Sequence, residues 1–380
     1  MLPSGRIAPL TERLPEKMDA KDKFEKILRC PITESELSWV PFDALQILND
    51  KIKNGQCYQA NGTPQSVPLS AALKAHHHEI YYPQEQGIYC LLKELAIIVS
   101  LEYKIETNET LLTTQEVQRF YENVGWQEQE GLFQDAKDSE DLREVSKEYI
   151  LQCHLRLNRY LPTQGTYLLD VASGPLQYPA YLSYSEHFEY RVCADISLRA
   201  LLQAKKKLKM GGFYLLCDIT NLPIKDNQID AVVSLHTLYH VSKEQQLSAF
   251  AQLYRVLKPM GTSVVVYSWG GKSLLMNLCL FPFKLSTLLK RKLKSTLYPI
   301  QEKSLYFYAH NYAWFKKEIK TQYHAKLFTW RSVNVPFLKT FIHAKWGGKT
   351  WLKGLFWLEE KFSPFLGRIG AYPVFVSTKK

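Results

Sequence analysis

The sequence predicts an α/β protein: a doubly wound, mostly parallel sheet of seven strands, preceded by a small α+β module and interrupted late by a helical cap. Three observations carry this reading. From Tyr167 onward, short apolar runs alternate with helical stretches, the pattern of a parallel sheet covered on both faces. Three of those runs end in succession at a carboxylate or a tight turn, where such a sheet opens its ligand crevice. The chain has 380 residues, more than one small core needs.

The elements follow in order. Residues 1–20 read as a polar, proline-containing arm. Residues 21–95 alternate apolar runs with turn signals (Asn61-Gly62, Pro64, Pro68, Pro83, Gly87), which predicts the small α+β module. Residues 96–160 read as a helical connection. Its clearest part is the stripe Leu142, Val145, Tyr149, Cys153, Leu157 and Leu161, spaced by three or four residues. The acidic stretch Glu128–Glu148 reads as a solvated loop and helix face. The main domain spans 161–380. Its strands are expected at Tyr167–Val171, Tyr190–Ile196, Phe213–Cys217, Ile229–Leu235 and Ser263–Trp269. A sixth is expected at Lys326–Val335 and a final antiparallel one at Tyr372–Ser377. Helices are expected at Ser197–Leu208, with Ser197 as N-cap, at Leu247–Leu257, stopped by Lys258-Pro259-Met260-Gly261, and at Phe315–Tyr323. The cap insertion is placed at about 270–310.

Composition narrows the function classes. Hydrophobic residues make up 46% and charged residues 22%, which excludes collagen-like and mostly disordered chains. No run of about 18 apolar residues predicts a membrane span. The first residues lack the apolar centre of a signal peptide. Seven scattered cysteines with no CxxC pair predict a reducing, cytoplasmic location. The net charge of +11 is uneven. Residues 1–269 carry 28 Lys and Arg against 33 Asp and Glu, whereas residues 270–380 carry 20 against 4 and hold 22 of the 49 aromatic residues.

The chemistry is carried by the strand ends. The first strand runs into Asp170-Val171-Ala172-Ser173-Gly174-Pro175. Gly174 lets the backbone approach a ligand, and the N–H groups opening the next helix are suited to an anion such as a carboxylate. The second strand ends at Asp195 and Ile196, with Asp195 placed to accept from ribose hydroxyls. The third ends at Cys217-Asp218-Ile219. There Asp218 is suited to an adenine amino group and Ile219 to the adenine face. Together these match the three parts of S-adenosyl-L-methionine. A dinucleotide would call for G-x-G-x-x-G after the first strand, which Ala172-Ser173-Gly174-Pro175-Leu176-Gln177 does not supply.

On these residues, positions 145–269 resemble the class I S-adenosylmethionine-dependent methyltransferases, a Rossmann-like fold, in the small-molecule subgroup that includes the ubiquinone-biosynthesis enzymes. The matching runs are LLDVASGP, CADIS, LCDITNLPIKDNQIDAVVSLHTLYHV and YRVLKPMG. The resemblance implies that Asp170, Ala172, Ser173 and Gly174 shape the methionine pocket, that Asp195 and Ile196 bind ribose, that Asp218 and Ile219 bind adenine, and that Ser234 joins the cofactor site. The family's first motif is D-x-G-x-G-x-G. Here its glycine positions hold Ala172, Gly174 and Leu176. Ala172 is tolerable at a negative backbone angle, while Leu176 narrows the loop and admits a non-catalytic binding protein as an alternative.

The fourth strand has neither the Asn-Pro-Pro-aromatic run of planar-nitrogen methylation nor a Pro-Cys nucleophile. His236, Tyr239 and His240 lie just beyond it and are the catalytic candidates. A His near its ordinary pKa is suited to removing a hydroxyl proton, though in-line positioning alone also suffices for methyl transfer. His310 and Tyr312 are cap-side candidates for acceptor contacts.

Two further features lie at the ends. Leu28, Cys30, Pro31, Tyr82, Pro83, Gly87 and Ile88 resemble the frame of the small zinc-ribbon-like methyltransferase-activator family. The partner cysteine for zinc is missing and His76-His77-His78 do not converge on one ion, so no metal is expected and the module is read as a packing platform. In the tail, an apolar run from Leu274 to Phe283 precedes Lys290-Arg291-Lys292-Leu293-Lys294, which suits weak peripheral membrane contact. The expected function is O-methylation of an anionic small molecule, glycan or lipid intermediate. The alternative is an RNA (tRNA) methyltransferase using the basic aromatic tail.

Overall fold

The computed structural model describes residues 20–208, 211–283 and 305–380. The polar arm and the Lys290–Lys294 run lie outside the described residues, as does the middle of the cap.

The N-terminal module contributes strands β1 (Leu37–Trp39), β2 (Ala72–Ala75), β3 (Ile80–Glu85) and β4 (Ile88–Cys90), with helix α1 (Phe42–Lys53) packed on them. The main domain adds β5 (Gly165–Val171), β6 (Phe188–Asp195), β7 (Gly212–Leu216), β8 (Ile229–Leu235), β9 (Leu257–Val266), β10 (Lys326–Arg331) and β11 (Tyr372–Thr378). Among the described residues these join one sheet in the order β1-β2-β3-β4-β7-β6-β5-β8-β9-β11-β10. From β4 to β9 the pairing is parallel, and β11 closes the sheet antiparallel to both β9 and β10. The strand order reverses direction at β5, so the crevice lies beyond the carboxyl ends of β5, β6 and β8.

The module is welded to the main sheet. Tyr89 and Cys90 on β4 pair with Leu215 and Leu216 on β7. Phe24 is fully buried, and its ring stacks on Phe213 at 4.0 Å. Backbone bonds Arg29 N–H to Pro223 O (3.0 Å) and Lys225 N–H to Ile27 O (2.7 Å) close a second seam. Buried residues of both parts form one apolar core, so the module could not be removed without exposing β7.

The helices follow local sequence logic. α5 (Leu198–Lys207) starts at Ser197, whose hydroxyl accepts from Ala200 N–H at 3.1 Å. α2 (Glu109–Phe120) is capped by Asn108, which accepts from Leu111 N–H at 2.9 Å. Two expectations change. Residues 96–160 are not helical throughout: Glu128–Gln129 pairs with Leu132–Phe133 across a turn in which Glu130 and Gly131 both have positive φ, the two-residue geometry that suits a hairpin. And Lys258-Pro259-Met260-Gly261 does not separate helix from strand. It lies inside β9, where the register against β8 shifts and an irregularity absorbs the proline.

Candidate active site

At the carboxyl ends of β5, β6 and β8 lies a cavity of about 190 Å³, beside a slot of about 50 Å³ with which it shares Val117, Ala172, Asp195, Ile196, Thr237 and His240.

The loop after β5 sets one wall. Ala172, Gly174 and Leu176 have φ of 55°, 54° and 50°. The left-handed path of a three-glycine loop is therefore kept with two side chains on it. This corrects the expectation of a negative angle at Ala172; each non-glycine residue there is strained by about 1–2 kcal/mol. Leu176 is anchored by burial against Leu201, Ala204 and Cys193 rather than narrowing the cavity. No helix N-terminus faces the loop to hold a carboxylate: the next helical turn begins only at Pro179, and Gly174 N–H is already used. Its acceptor is Asp195 Oδ2 at 2.8 Å, while Ser197 N–H donates to Oδ1 at 2.9 Å. Burial of Asp195 pushes its pKa up to about 6 against the pull of those two donors. Asp170 is buried behind the loop and paired with the Arg191 guanidinium, which also donates to Tyr181 O at 2.6 Å.

The slot has apolar walls of the kind a planar base packs against. Val117, Ile196, Ile219 and Val241 line it, with Asp218 at its edge. Asp218 Oδ1 accepts from Thr220 N–H and its hydroxyl at 2.7 and 2.8 Å, so the carboxylate is fixed in direction. Gln118 on α2 donates to Ile196 O at 2.8 Å and holds the roof in place.

Much of the cavity lining is aromatic: Tyr121, Trp126, Tyr178, Tyr181, Tyr239 and Tyr372. Tyr121 stacks on Trp126 at 4.9 Å. A Cβ on Gly174 would lie 3.0 Å from the Trp126 ring, so that glycine lets the indole close over the loop. Arg331 Nη1 bonds Glu140 Oε1 at 2.5 Å, and its guanidinium lies over Trp330 and Tyr372 at 4.8 and 5.0 Å. His236 packs edge-on to Trp330 at 4.5 Å. Several buried polar atoms of cavity-lining residues have no hydrogen-bond partner among the described residues: both ring nitrogens of His154, Nε of Arg331 and Nε1 of Trp126. Leaving such groups unpaired costs about 1–3 kcal/mol each, which a bound polar ligand relieves.

The histidines are neutral. Burial lowers His154 to about 3 and His240 to about 4, and drives His236 well below its ordinary value, with Arg331 adding to the effect on His154 and His236. His240 donates from Nδ1 to Tyr306 O at 2.8 Å, which leaves Nε2 unprotonated. The premise of a histidine titrating near working pH is thereby corrected.

Of the sequence candidates, Asp170, Ala172, Ser173, Gly174, Asp195, Ile196, His236, Tyr239 and His240 line the larger cavity, and Asp218 and Ile219 line the slot. Ser234 lies off both, fully buried within β8. His310 and Tyr312 are off both as well: His310 stacks on Trp314 at 4.3 Å, and Tyr312 lies under the Arg368 guanidinium at 4.6 Å. The acidic stretch is not merely solvated. Asp135 and Glu140 line the cavity, and Asp141 is fully buried against Arg143 and Ser146. Sequence reading missed Trp126, Asp135, His154, Tyr178, Arg331 and Tyr372. The one available signal was a second cation, Arg331, following Trp330 at the end of the strand that starts at Lys326. Cys30 in the module bonds Tyr82 Oη through Sγ at 3.2 Å, and among the described residues no three His, Cys, Asp or Glu side chains gather as a metal site.

Comparison with known proteins agrees with this geometry. Residues 169–265 match the family described as "Methyltransferase domain". The match covers about a quarter of the chain and supports a methyltransferase domain over that segment. S-adenosyl-L-methionine is the cofactor of such a domain, and the residues fit it: an ionisable Asp195 for a diol, an apolar slot edged by Asp218 for a planar base, and unpartnered Trp126 and Arg331 nitrogens for a polar tail. Probable tRNA methyltransferase 9B from Mus musculus is 38% identical over 61 residues, 16% of this chain and 13% of that protein. The Bos taurus protein of that name is 26% identical over 118 residues, 30% of this chain and 24% of its own length. The chain thus spans less than a quarter of the curated relatives it matches. Among solved structures, magnesium protoporphyrin IX methyltransferase from Synechocystis PCC 6803 aligns with a TM-score of 0.42 and 13% identity, covering 70% of this chain and 100% of that one.

Proposed function

We propose that the protein is an S-adenosylmethionine-dependent O-methyltransferase whose acceptor is an anionic small molecule, glycan or lipid intermediate. The observation that carries this is the slot edged by Asp218 lying beside a cavity in which both ring nitrogens of His154 and Nε of Arg331 lack hydrogen-bond partners among the described residues. The cofactor supplies an electrophilic methyl group; the chain's task is to orient an oxygen toward it and exclude water.

The three imidazoles are weak proton acceptors because burial holds them neutral. That favours an acceptor oxygen that arrives already ionised, such as a carboxylate, which needs no general base. Arg331 is neutralised by Glu140 but keeps its Nε–H for an acceptor oxygen, with His236, Tyr239 and His240 setting the acceptor's orientation. The module of residues 20–95 serves as a packing platform for β7.

A second reading, an RNA acceptor, is favoured by the similarity to probable tRNA methyltransferase 9B. Only a single extruded nucleotide or its substituent suits a cavity of this size. Tritiated S-adenosylmethionine incubated with fractionated cell extract separates the readings. Label in the small-molecule, glycan or lipid pool is expected. Label confined to nucleic acid replaces the first reading with the second, and no transfer to any pool, with cofactor still bound, points to a non-catalytic binding protein.

A further inference from the structure

The outer face of the C-terminal helices is built inside out. Helices α7 (Val335–Phe341), α8 (Gly348–Lys361) and α9 (Ser363–Ile369) follow β10. The inner side of α8 buries a carboxylate: Glu359 is fully buried and accepts from Arg156 (3.0 Å), Tyr149 (2.7 Å) and the Ser332 hydroxyl (2.6 Å). Its outer side carries Trp351 and Trp357, 71% and 57% exposed, with Leu358 beside them. Trp346 before the helix is 71% exposed, and Phe362 and Phe365 after it are exposed too. α8 alone is 14 residues, or about 21 Å at 1.5 Å per residue, so these exposed side chains are spread along one helix and its two ends.

Within residues 335–370 the exposed charge has one sign, and the nearby Glu144 is paired with Lys147. Lys339, Lys345, Lys349, Lys353, Lys361 and Arg368 are all exposed. The acids of residues 335–370 are Glu359 and Glu360 alone. Glu359 is buried, and Glu360 is bridged by Arg156 and Arg159 at 2.7 and 2.5 Å. Lys361 Nζ lies 4.9 Å from the Trp357 ring, so cation and aromatic share one patch. Tryptophan with an apolar body and a polar N–H, lysines with long stems, and no free acid together match the headgroup layer of an anionic bilayer. Nucleic acid would draw on the same charges and stack on the same rings but has no use for the exposed Leu358 between them.

We infer that this face docks on an anionic lipid surface, with Trp346, Trp351, Trp357 and Phe365 entering the interface and the lysines pairing with lipid headgroups. No helix among the described residues is long and apolar enough to cross a membrane, so the contact is peripheral. The inference does not depend on the methyltransferase reading.

The test is co-sedimentation of the full chain with vesicles of phosphatidylcholine alone or with phosphatidylserine, at physiological salt, alongside tryptophan fluorescence. The wild type is expected to bind the phosphatidylserine vesicles with a blue shift. The triple variant W351S/W357S/F365S is expected to bind at least about tenfold more weakly, with circular dichroism unchanged because all three side chains are exposed. A second variant, K349E/K353E, is expected to lose the preference for phosphatidylserine. No wild-type binding, equal binding to neutral vesicles, or full binding by the triple variant overturns the inference. So does tRNA binding, or self-association on its own, that the triple variant abolishes while vesicle binding stays intact.

Discussion

The backbone N–H of Gly174 donates to Oδ2 of Asp195 at 2.8 Å, locking the loop after β5 to the end of β6. One carboxylate therefore both fixes the loop and faces the cavity. This couples the conformation of the strained loop to the group that a ribose would contact.

Strain in that loop gives a contrast between two positions of similar φ. Ala172→Gly removes a left-handed alanine and is expected to raise stability by about 0.5–1 kcal/mol, the relief being partly offset by the greater freedom of glycine in the unfolded chain. Leu176→Gly is expected to lower it by about 2–4 kcal/mol, because the side chain it deletes is buried at 1% exposure. Urea denaturation of both variants measures the two signs. A destabilised Ala172→Gly would mean the loop is not strained.

Asp135 predicts a pH dependence. Burial raises its folded pKa to about 6 from a model-compound value of 3.8. The folded state therefore binds more protons than the unfolded state between about pH 4 and 6, and this group's contribution is lost as pH rises through that window. Asp135→Asn keeps the shape without the charge. Its stability relative to wild type is expected to be unchanged near pH 4 and to gain about 1–3 kcal/mol by pH 7. Denaturation at both pH values checks this, and a constant difference would contradict the raised pKa.

Breaking the buried pair under α8 should be costly. Arg156→Met leaves the Glu359 carboxyl buried with only Tyr149 and Ser332 to satisfy it. A loss of about 3–5 kcal/mol is expected by chemical denaturation.

For catalysis, the lowered histidines predict a methyl-transfer rate with no histidine limb between about pH 6 and 8. A limb near 6.5 that disappears in His236→Asn would restore the general-base role.

The sheet was legible because the first three strands of the main domain end where chemistry needs a specific residue. The apolar run before Asp195 and the one before Asp218 predict both the strand and its ligand-facing end. The second half of the cavity was not legible in that way. Trp126, His154 and Arg331 come from three distant segments, and only the closure of β10 and the 126–140 hairpin region over the sheet brings them together. The acidic stretch misled because composition cannot tell a solvated carboxylate from Glu140, which Arg331 pairs with across 191 positions of sequence. Ala172 and Leu176 broke the glycine pattern while the backbone kept its path, since packing of Leu176 against α5 compensates for what glycine would have given freely.

The most direct test of the central claim is calorimetric titration of S-adenosyl-L-methionine into the wild type and Asp195→Ala, with both confirmed folded by circular dichroism. The wild type should bind at one site per chain, and the variant should bind more weakly by about 1.5–3 kcal/mol, roughly 10- to 150-fold. Absence of binding by the wild type, or equal affinities for the two proteins, would contradict the account.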